Sequence, residues 1–287
     1  DNVEARAYYG YIGAAGTLGA FLGPLLTRAL VERIGIANLM LVAASFLLAC
    51  LGCQMRLRRW AVEREQVRGL RSGETPMGGG VLAGLTLILR EPLMRWMAAT
   101  VVLGVGVGTL LYNEQAEIVR RSYADARAAT AYYANIDLAI NALTLFVQVF
   151  VTRWLLSRFG IRPALLLPAL GVFLGYAALA ASPLPVLVAI VQVITRSSEF
   201  CLSKPARETI YTQVPREWRY KAGAAIDTVV YRGGDLTFVW AHKFLSAFGS
   251  TVVFGAGMVI ACGFGFSAFS LWREQRRLPA ARTVGAD

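Results

Sequence analysis

The stretch LMLVAASFLLACLG, residues 39–52, decides the fold class because it is continuously apolar. Strands of a membrane barrel alternate between apolar and polar residues over about 10 positions, so this stretch predicts a helix. A helix needs about 20 predominantly apolar residues to cross the ~30 Å hydrocarbon core of a bilayer. The apolar region around the stretch reaches that length at Ile34–Met55. We therefore predict a membrane-spanning helix there.

The composition of the whole chain also indicates a membrane protein. Its 287 residues are 56% hydrophobic and only 16% charged, and the mean hydropathy is +0.52. Water-soluble domains of this length rarely combine these values. Eight apolar windows of spanning length are bounded by charged or turn residues: Tyr8–Leu30, Ile34–Met55, Leu93–Tyr112, Ile136–Leu156, Pro163–Ala181, Leu184–Ser203, Ala222–Ser246 and Thr251–Trp272. The predicted fold is an all-α integral membrane protein with eight transmembrane helices.

One long hydrophilic stretch, residues 56–92, divides these windows into groups of two and six. Transporters of the major-facilitator type have two six-helix halves joined by a cytoplasmic loop, with the substrate site between the halves. The chain resembles this arrangement. The resemblance implies the last two helices of an N-terminal half at 1–55, a six-helix C-terminal half at 93–278 and a cytoplasmic tail at 279–287. The other four helices of the N-terminal half are then expected upstream of Asp1.

Lysine and arginine residues concentrate in the loops on one side of the predicted membrane. They fall in segments 56–71, 153–162, 204–221 and 273–282, whereas the opposite loops contain few. Cytoplasmic loops hold the excess of positive charge, so we expect both termini in the cytoplasm. Topology and anionic lipids account for the net charge of +11. The expected partner of these charges is therefore the lipid bilayer and not a nucleic acid.

The chain has a single histidine, His242, which cannot form a two-histidine metal site. No catalytic constellation, metal site or cofactor site is predicted. The CxxC formed by Cys50 and Cys53 lies in an apolar helix, where we expect small packing residues. His242 lies near the outer end of the seventh window, and we expect a helix-end or interface residue there in preference to a proton relay.

Three predicted spans carry polar residues at steps of three or four, which places them on one face of each helix. These residues are Asp137, Asn141, Thr144 and Gln148 in the fourth span, Gln192, Arg196, Glu199 and Ser203 in the sixth, and Asp227, Tyr231 and either Gly234 or Asp235 in the seventh. Ionisable side chains inside a membrane usually face a cavity or a partner. The three faces therefore predict a shared water-filled cavity.

Two pairs of opposite charges within these faces leave two interpretations open. Arg196 precedes Glu199 by three residues, and Arg232 precedes Asp235 by three, a spacing at which side chains on a helix can pair. Either the pairs are internal salt bridges that fix the helix register, or they contact a ligand.

Asp137 and Asp227 have no obvious local partner. Each is therefore a candidate for contact with a bound cation, a proton or an arginine on another helix. If the ligand is a proton, one of the two is the protonation site of a proton-coupled exporter, which is the alternative transport hypothesis.

Basic residues follow the sixth span directly and could draw an anionic solute into the cavity. They are Lys204, Arg207, Arg216, Arg219 and Lys221, with the acidic Glu208 among them. Arginine binds phosphate or carboxylate groups through two hydrogen bonds, and lysine adds a point charge. The pattern therefore indicates a phosphorylated or carboxylated substrate, with a topology signal alone as the alternative.

Residues 198–235, SEFCLSKPARETIYTQVPREWRYKAGAAIDTVVYRGGD, resemble the signature region of the ATP/ADP antiporter family of bacteria and plastids. The helix YGYIGAAGTLGAFLGP, at residues 9–24, also resembles the fifth span of that family. The signature residues that match are Lys204, Arg207, Glu208, Lys221, Ile226, Asp227, Gly233 and Gly234. The resemblance implies exchange of nucleotides or related anions by alternating access in a bacterial cytoplasmic membrane.

The resemblance also assigns roles to the charged residues. In this interpretation Arg196, Lys204, Arg207 and Arg232 bind the anion, and Glu199, Asp137, Asp227 and Asp235 hold those cations when the site is empty. Asn141, Glu208 and Lys221 complete the predicted site. The chain departs from the nucleotide exchangers at residues 231–235, YRGGD, where they carry a Gly-Lys-Ser-Gly-Gly type of segment. This departure concerns ATP and ADP specificity more than transport.

A third hypothesis is a membrane-embedded accessory protein without any solute flux. It follows from the expectation that four helices of the N-terminal half are missing from this sequence. Four further apolar spans encoded upstream in the same frame would favour a transporter, and a start codon just before Asp1 would favour the accessory protein.

Overall fold

A computed structural model describes residues 2–68 and 82–278, and side chains at 19–60, 82–152 and 154–278. These residues form helices and turns without a strand, which confirms the all-α prediction. The predicted tail and residues 69–81 of the predicted loop lie outside the described residues. The α-helices are α1 (Asn2–Arg68), α2 (Ala83–Arg90), α3 (Pro92–Ser122), α4 (Ala126–Val147), α5 (Arg153–Phe159), α6 (Ile161–Ala181), α7 (Pro185–Ser198), α8 (Lys204–Tyr211), α9 (Gly223–Ala225), α10 (Tyr231–Ser246) and α11 (Ser250–Gln275).

Short π-helical segments join several of these α-helices end to end. They are π1 (Gln148–Thr152) between α4 and α5, π2 (Glu199–Ser203) between α7 and α8, π3 (Trp218–Ala222) before α9, and π4 (Ile226–Val230) between α9 and α10. Three long continuous helices result, which we call the α4–α5, α7–α8 and α9–α10 helices. A π turn shifts the backbone hydrogen bonds by one residue and is frequent at functional sites.

Six stretches of the described residues are long and apolar enough to cross a membrane. They are Gly19–Trp60, Pro92–Ser122, Ala126–Thr152, Ile161–Ala181, Pro185–Tyr211 and Ser250–Gln275. The first contains the predicted span Ile34–Met55 and the part of the predicted span Tyr8–Leu30 that follows Leu18. Near the start of Ile34–Met55 the backbone of α1 leaves the helical conformation at Gly35 (φ 76°, ψ 170°). The predicted seventh span, Ala222–Ser246, is not among the six because its charged residues lower its hydropathy. It nevertheless lies within the continuous α9–α10 helix.

Two glycines with positive φ mark the opposite ends of the helix bundle. Gly160 (φ 71°) joins α5 directly to α6, and Gly249 (φ 99°) immediately precedes α11. Residues with a Cβ rarely adopt these angles, so glycine permits a sharp reversal without a longer loop. We use the names "Gly160 end" and "Gly249 end" for the two ends. By connectivity, residues 212–217 lie at the Gly160 end, and residues 123–125 and 182–184 lie at the Gly249 end.

Helices α3, α6 and α11 form the centre of the bundle, with α7 packed beside α3 and α6. Near the Gly249 end, Tyr176 of α6 is fully buried against Phe254 of α11. Its hydroxyl donates a hydrogen bond of 2.6 Å to the carbonyl of Val107 in α3. One aromatic side chain therefore ties all three central helices together.

Replacement of Gly257 by alanine tests this packing. A Cβ at Gly257 would overlap the buried ring of Tyr176, and overpacking of this kind costs about 1–3 kcal/mol. We expect Gly257→Ala to lower the thermal unfolding temperature of the detergent-solubilised protein. Gly255→Ala, in the same helix, is the matched control because a Cβ there meets nothing within 4 Å. Equal unfolding temperatures for the two variants would contradict the packing.

Candidate functional site

The α4–α5 and α7–α8 helices are fastened together by side chains that donate to backbone carbonyls. The bonds run from Ser197 Oγ to Ile140 O (3.2 Å), from Gln148 Nε2 to Phe200 O (3.2 Å) and from Thr152 Oγ1 to Cys201 O (2.8 Å). The last two join π1 directly to π2. Because a π turn disturbs the regular backbone bonding, side-chain donors supply carbonyls there with partners. Gln148, a member of the polar face predicted for the fourth span, therefore joins two helices.

Asp137 and Arg196 lie on this same pair of helices, closer to the Gly249 end. Both side chains are exposed, and Arg196 is within electrostatic range of Asp137. An arginine on another helix, one of the partners considered for Asp137, is therefore nearby, although the two side chains do not form an ion pair. The guanidinium of Arg196 also lies 5.9 Å from the centre of the Phe200 ring.

Glu199 pairs with Arg207 and not with Arg196. Arg207 Nη2 lies 3.0 Å from Glu199 Oε1, and among the described residues no ion pair joins Glu199 to Arg196. The π turn that begins at Glu199 explains this correction. Because a π turn takes up more than four residues, Arg207 returns to the same face of the continuous helix two turns later.

Tyr211 links this ion pair to the α9–α10 helix, and sequence reasoning missed it. The side chain is buried and lies within electrostatic range of Asp227, Arg207 and Glu208. Its ring packs beside Gly223 of α9: a Cβ at that position would lie 3.6 Å from Cζ of Tyr211, an ordinary van der Waals distance. The sequence signal that could have indicated Tyr211 is its place in the segment KPARETIY, residues 204–211, one turn after the predicted site residues Arg207 and Glu208.

The structure therefore groups six predicted site residues on three neighbouring helices. These are Asp137 on α4, Arg196, Glu199, Arg207 and Glu208 on the α7–α8 helix, and Asp227 in π4. Glu199 and Asp227 are themselves within π segments. The shared cavity that the three polar faces predicted stays a prediction: α4 packs against α7, and Asp227 is within electrostatic range of Tyr211 at the end of α8.

Asn141 and Lys221, which were also predicted to belong to the site, bond to residues outside this group. Asn141 Nδ2 donates a hydrogen bond of 2.6 Å to the carbonyl of Ala20, so it fastens α1 to α4. Lys221 Nζ lies 2.7 Å from Glu217 Oε1 one turn away. Each residue therefore has a partner within the protein, and its role in substrate binding stays a prediction.

Asp235 and Arg232 do not form the predicted pair within the described part of the chain. Asp235 accepts a hydrogen bond of 2.7 Å from Thr109 Oγ1 of α3, whereas Arg232 is exposed and lies 5.8 Å from the ring centre of Tyr231. The physical reason for the difference is the packing of α10 against α3. Gly234 is buried against Val102, so its neighbour Asp235 turns toward α3.

Three predicted cations remain exposed: Arg196, Lys204 and Arg232. None of them takes part in an ion pair with the residues that the structure describes. Because charged side chains inside a membrane are costly in free energy, these residues have to face water, protein or a ligand.

A second polar contact, between α3 and α10, was not predicted. Nε2 of His242 lies 2.9 Å from Oε2 of Glu114, and the side chains are 13% and 2% exposed. The predicted third span ends at Tyr112, and Glu114 lies two residues beyond that boundary. The buried residues Val107, Leu110, Leu111 and Ile118 continue a helical period through Glu114, and this pattern could have extended the helix. The contact agrees with the expectation of an interface role for His242.

Comparison with known proteins places these helices in a family. The sequence profile of the Major Facilitator Superfamily matches residues 4–234. That range contains every predicted site residue except Asp235, and the match confirms the predicted major-facilitator-like fold. No curated protein matches the chain, and no solved structure matches it.

Replacement of Thr152 by valine tests the bond between π1 and π2. The variant keeps the shape of the side chain but removes the donor to the Cys201 carbonyl, and an unsatisfied buried acceptor costs about 1–3 kcal/mol. We expect a lower unfolding temperature in detergent. Thr130→Val is the matched control, because Thr130 is only partly buried and donates only within its own helix, to Ala126. The interpretation fails if both variants unfold at the same temperature.

Proposed function

The chain belongs to the major facilitator superfamily, and we propose that this secondary membrane transporter carries a small anionic solute by alternating access. The observation that supports an anion is a set of exposed cations: Lys204 and Arg232 form no ion pair within the described residues, and Arg196 forms none there either, although Asp137 lies within its electrostatic range. An anionic substrate would neutralise them in the membrane. Arginine binds phosphate or carboxylate through two parallel hydrogen bonds, so either group suits the site.

The acidic residues have a role in the empty transporter in this proposal. Glu199 holds Arg207 at 3.0 Å, and Asp137 lies near Arg196. An incoming anion would take the place of these carboxylates, so each arginine would exchange one negative partner for another. Such an exchange keeps the arginines neutralised in both states, which lowers the cost of holding charge in the membrane.

Nucleotides are the substrate class that we propose to test first. The resemblance of residues 198–235 to ATP/ADP antiporters supports this class. The structure adds that Arg196 lies beside the exposed ring of Phe200 and Arg232 beside that of Tyr231. A cation next to an exposed aromatic face suits a ligand that combines phosphate with a base, because bases stack on aromatic rings.

Uptake of labelled ADP and ATP by liposomes that contain the full-length protein tests this proposal. We expect uptake to require unlabelled nucleotide inside, and to fall at least tenfold in Arg196→Ala and Arg232→Ala, since each variant removes a substrate cation. Arg277→Gln is the control, because Arg277 is an exposed cation paired with Glu274 outside the proposed site. It should retain wild-type uptake within about twofold, as expected for an exposed pair.

Two outcomes would change the proposal in different ways. If the reconstituted wild-type protein is folded, as shown by cooperative thermal unfolding, but gives no nucleotide flux, nucleotides are excluded as substrates. The proposal of an anion transporter would then stand with another anion as substrate. Thermal stabilisation by inorganic phosphate or by dicarboxylates would then identify the anion class, because a ligand stabilises the state that binds it. Wild-type uptake in all three variants would show that neither Arg196 nor Arg232 is needed to bind the substrate.

We also propose that the Gly160 end faces the cytoplasm, as the loop charges indicate. Single cysteines at Ala124 and Thr212, both exposed, test the orientation in a protein whose native cysteines are replaced. A membrane-impermeant maleimide should label Ala124→Cys in intact cells, and Thr212→Cys only after permeabilisation. The reverse pattern would invert the orientation.

A further inference from the structure

Two arginines at the Gly160 end lie beside the ring of one tryptophan, outside the proposed anion site. The guanidinium carbon of Arg162 lies 4.8 Å from the ring centre of Trp272, and that of Arg276 lies 5.3 Å from it. The two guanidinium groups are therefore no farther apart than the sum of these distances. Both arginines are exposed, and neither forms an ion pair with a residue that the structure describes.

We propose that Arg162 and Arg276, held beside Trp272, bind the phosphate of an anionic phospholipid at the Gly160 end of the seam between α6 and α11. Arginine binds phosphate through two parallel hydrogen bonds. A guanidinium group that rests on an aromatic ring still donates these bonds from its edge. The proposal concerns contact with the bilayer and does not rest on the identity of the transported solute.

The two arginines lie at the ends of spans, where lipid headgroups begin. Arg162 is the second residue of the span Ile161–Ala181, and Arg276 directly follows the span Ser250–Gln275. Tryptophan is enriched at this level of a membrane protein, because its ring contacts apolar groups while its N–H reaches water. Trp272 is partly buried, as such a position requires.

The seam between α6 and α11 leads from these arginines toward the hydrocarbon core. A Cβ at Gly265 of α11 would lie 3.6 Å from the Cβ of Ala169 in α6, so these two positions face each other across the seam. Arg162 and Trp272 each lie seven residues, or two turns, closer to the Gly160 end. Beside the seam, the exposed ring of Phe269 has its centre 5.4 Å from that of Trp272. A lipid with its phosphate on the arginines can therefore place an acyl chain on apolar surface.

The charges around the seam favour an anion as the ligand. Residues 153–170 and 266–278 contain six arginines and one carboxylate, that of Glu274. Glu274 is paired with Arg277 at 2.8 Å, and its side chain is only 14% exposed. The phosphate of an anionic lipid would supply the negative charge that Arg162 and Arg276 lack within the described part of the protein.

The apolar surroundings favour a lipid over a free phosphate ion. A free ion would pair with the arginines but would gain nothing from the exposed ring of Phe269. A lipid gains the charge pairing and also removes apolar surface from water along its chain. Because its headgroup would contact residues of both helices, the bound lipid should tie the end of α6 to the end of α11 and stabilise the fold.

Native mass spectrometry of the full-length protein in detergent tests the site, because it counts bound lipids during a titration. The probe is phosphatidylglycerol, and phosphatidylcholine, which has no net charge, is the comparison. We expect the first phosphatidylglycerol to bind at least about fivefold more tightly than phosphatidylcholine. Arg162→Gln and Arg276→Gln should each weaken its binding by at least about fivefold, the effect of one arginine near a lipid phosphate. Since both side chains are exposed, the lipid-free variants should unfold at the wild-type temperature.

Arg277→Gln is the matched control for a specific site. It removes the same charge from the neighbouring residue, whose partner is Glu274, and it should bind phosphatidylglycerol within about twofold of the wild type. An equal loss of affinity in all three variants would show that the arginines act only as diffuse charge, which would overturn the proposal. Equal affinity of the wild-type protein for the two lipids would overturn it as well.

Thermal unfolding separates a lipid from a free phosphate ion as the ligand. We expect phosphatidylglycerol to raise the unfolding temperature of the wild-type protein but not that of Arg162→Gln, because a ligand stabilises the state that binds it. Inorganic phosphate should cause no stabilisation that depends on Arg162. If Arg162→Gln abolishes a stabilisation by inorganic phosphate, the site takes a free anion and the lipid proposal is wrong.

Arg196→Ala distinguishes this site from the proposed anion site. Arg196 lies on α7, so we expect this variant to bind phosphatidylglycerol as the wild type does, whatever its nucleotide uptake. Failure of uptake in a protein with normal lipid binding therefore counts against the proposed function alone. Loss of phosphatidylglycerol binding in Arg196→Ala would contradict a separate lipid site.

Discussion

The free-energy cost of a charged side chain in hydrocarbon is the constraint on which the rest of this structure depends. Each ionised group within a span needs an opposite charge, a hydrogen bond or water. Glu199 meets this requirement through Arg207, and Glu114 through His242. Asp235 meets it through the hydroxyl of Thr109. The exposed apolar side chains of α1 need no such partner and are suited to contact with lipid.

The π segments are the local feature that arranges these partners. In π1 and π2, side chains from one helix supply backbone carbonyls of the next, which fixes the two helices at one relative height. The same disturbance of the helical period brings Arg207 to Glu199. Irregular backbone and charged side chains therefore occur together, as is frequent at functional sites.

Membership of the major facilitator superfamily gives the charged groups a common context. Transporters of this kind alternate between arrangements in which different surfaces are wet. An ion pair that is stable when water is excluded and separates when water enters can change together with the transporter's conformation, because its free energy depends on the surrounding water. The proposed anion site uses this dependence.

The helical membrane fold follows from the amino-acid sequence alone, since long continuous apolar stretches such as Ile34–Met55 predict membrane-spanning helices. The sequence also indicated that Asp137 and Arg196 would occupy polar faces, because the helical period assigns residues to faces. The partners of these residues were decided only by tertiary structure. Helix rotation, the π turn at Glu199 and the packing of α10 on α3 selected Arg207 for Glu199 and Thr109 for Asp235. Such choices depend on neighbouring helices that are distant in the sequence, and a periodic pattern contains no information about them.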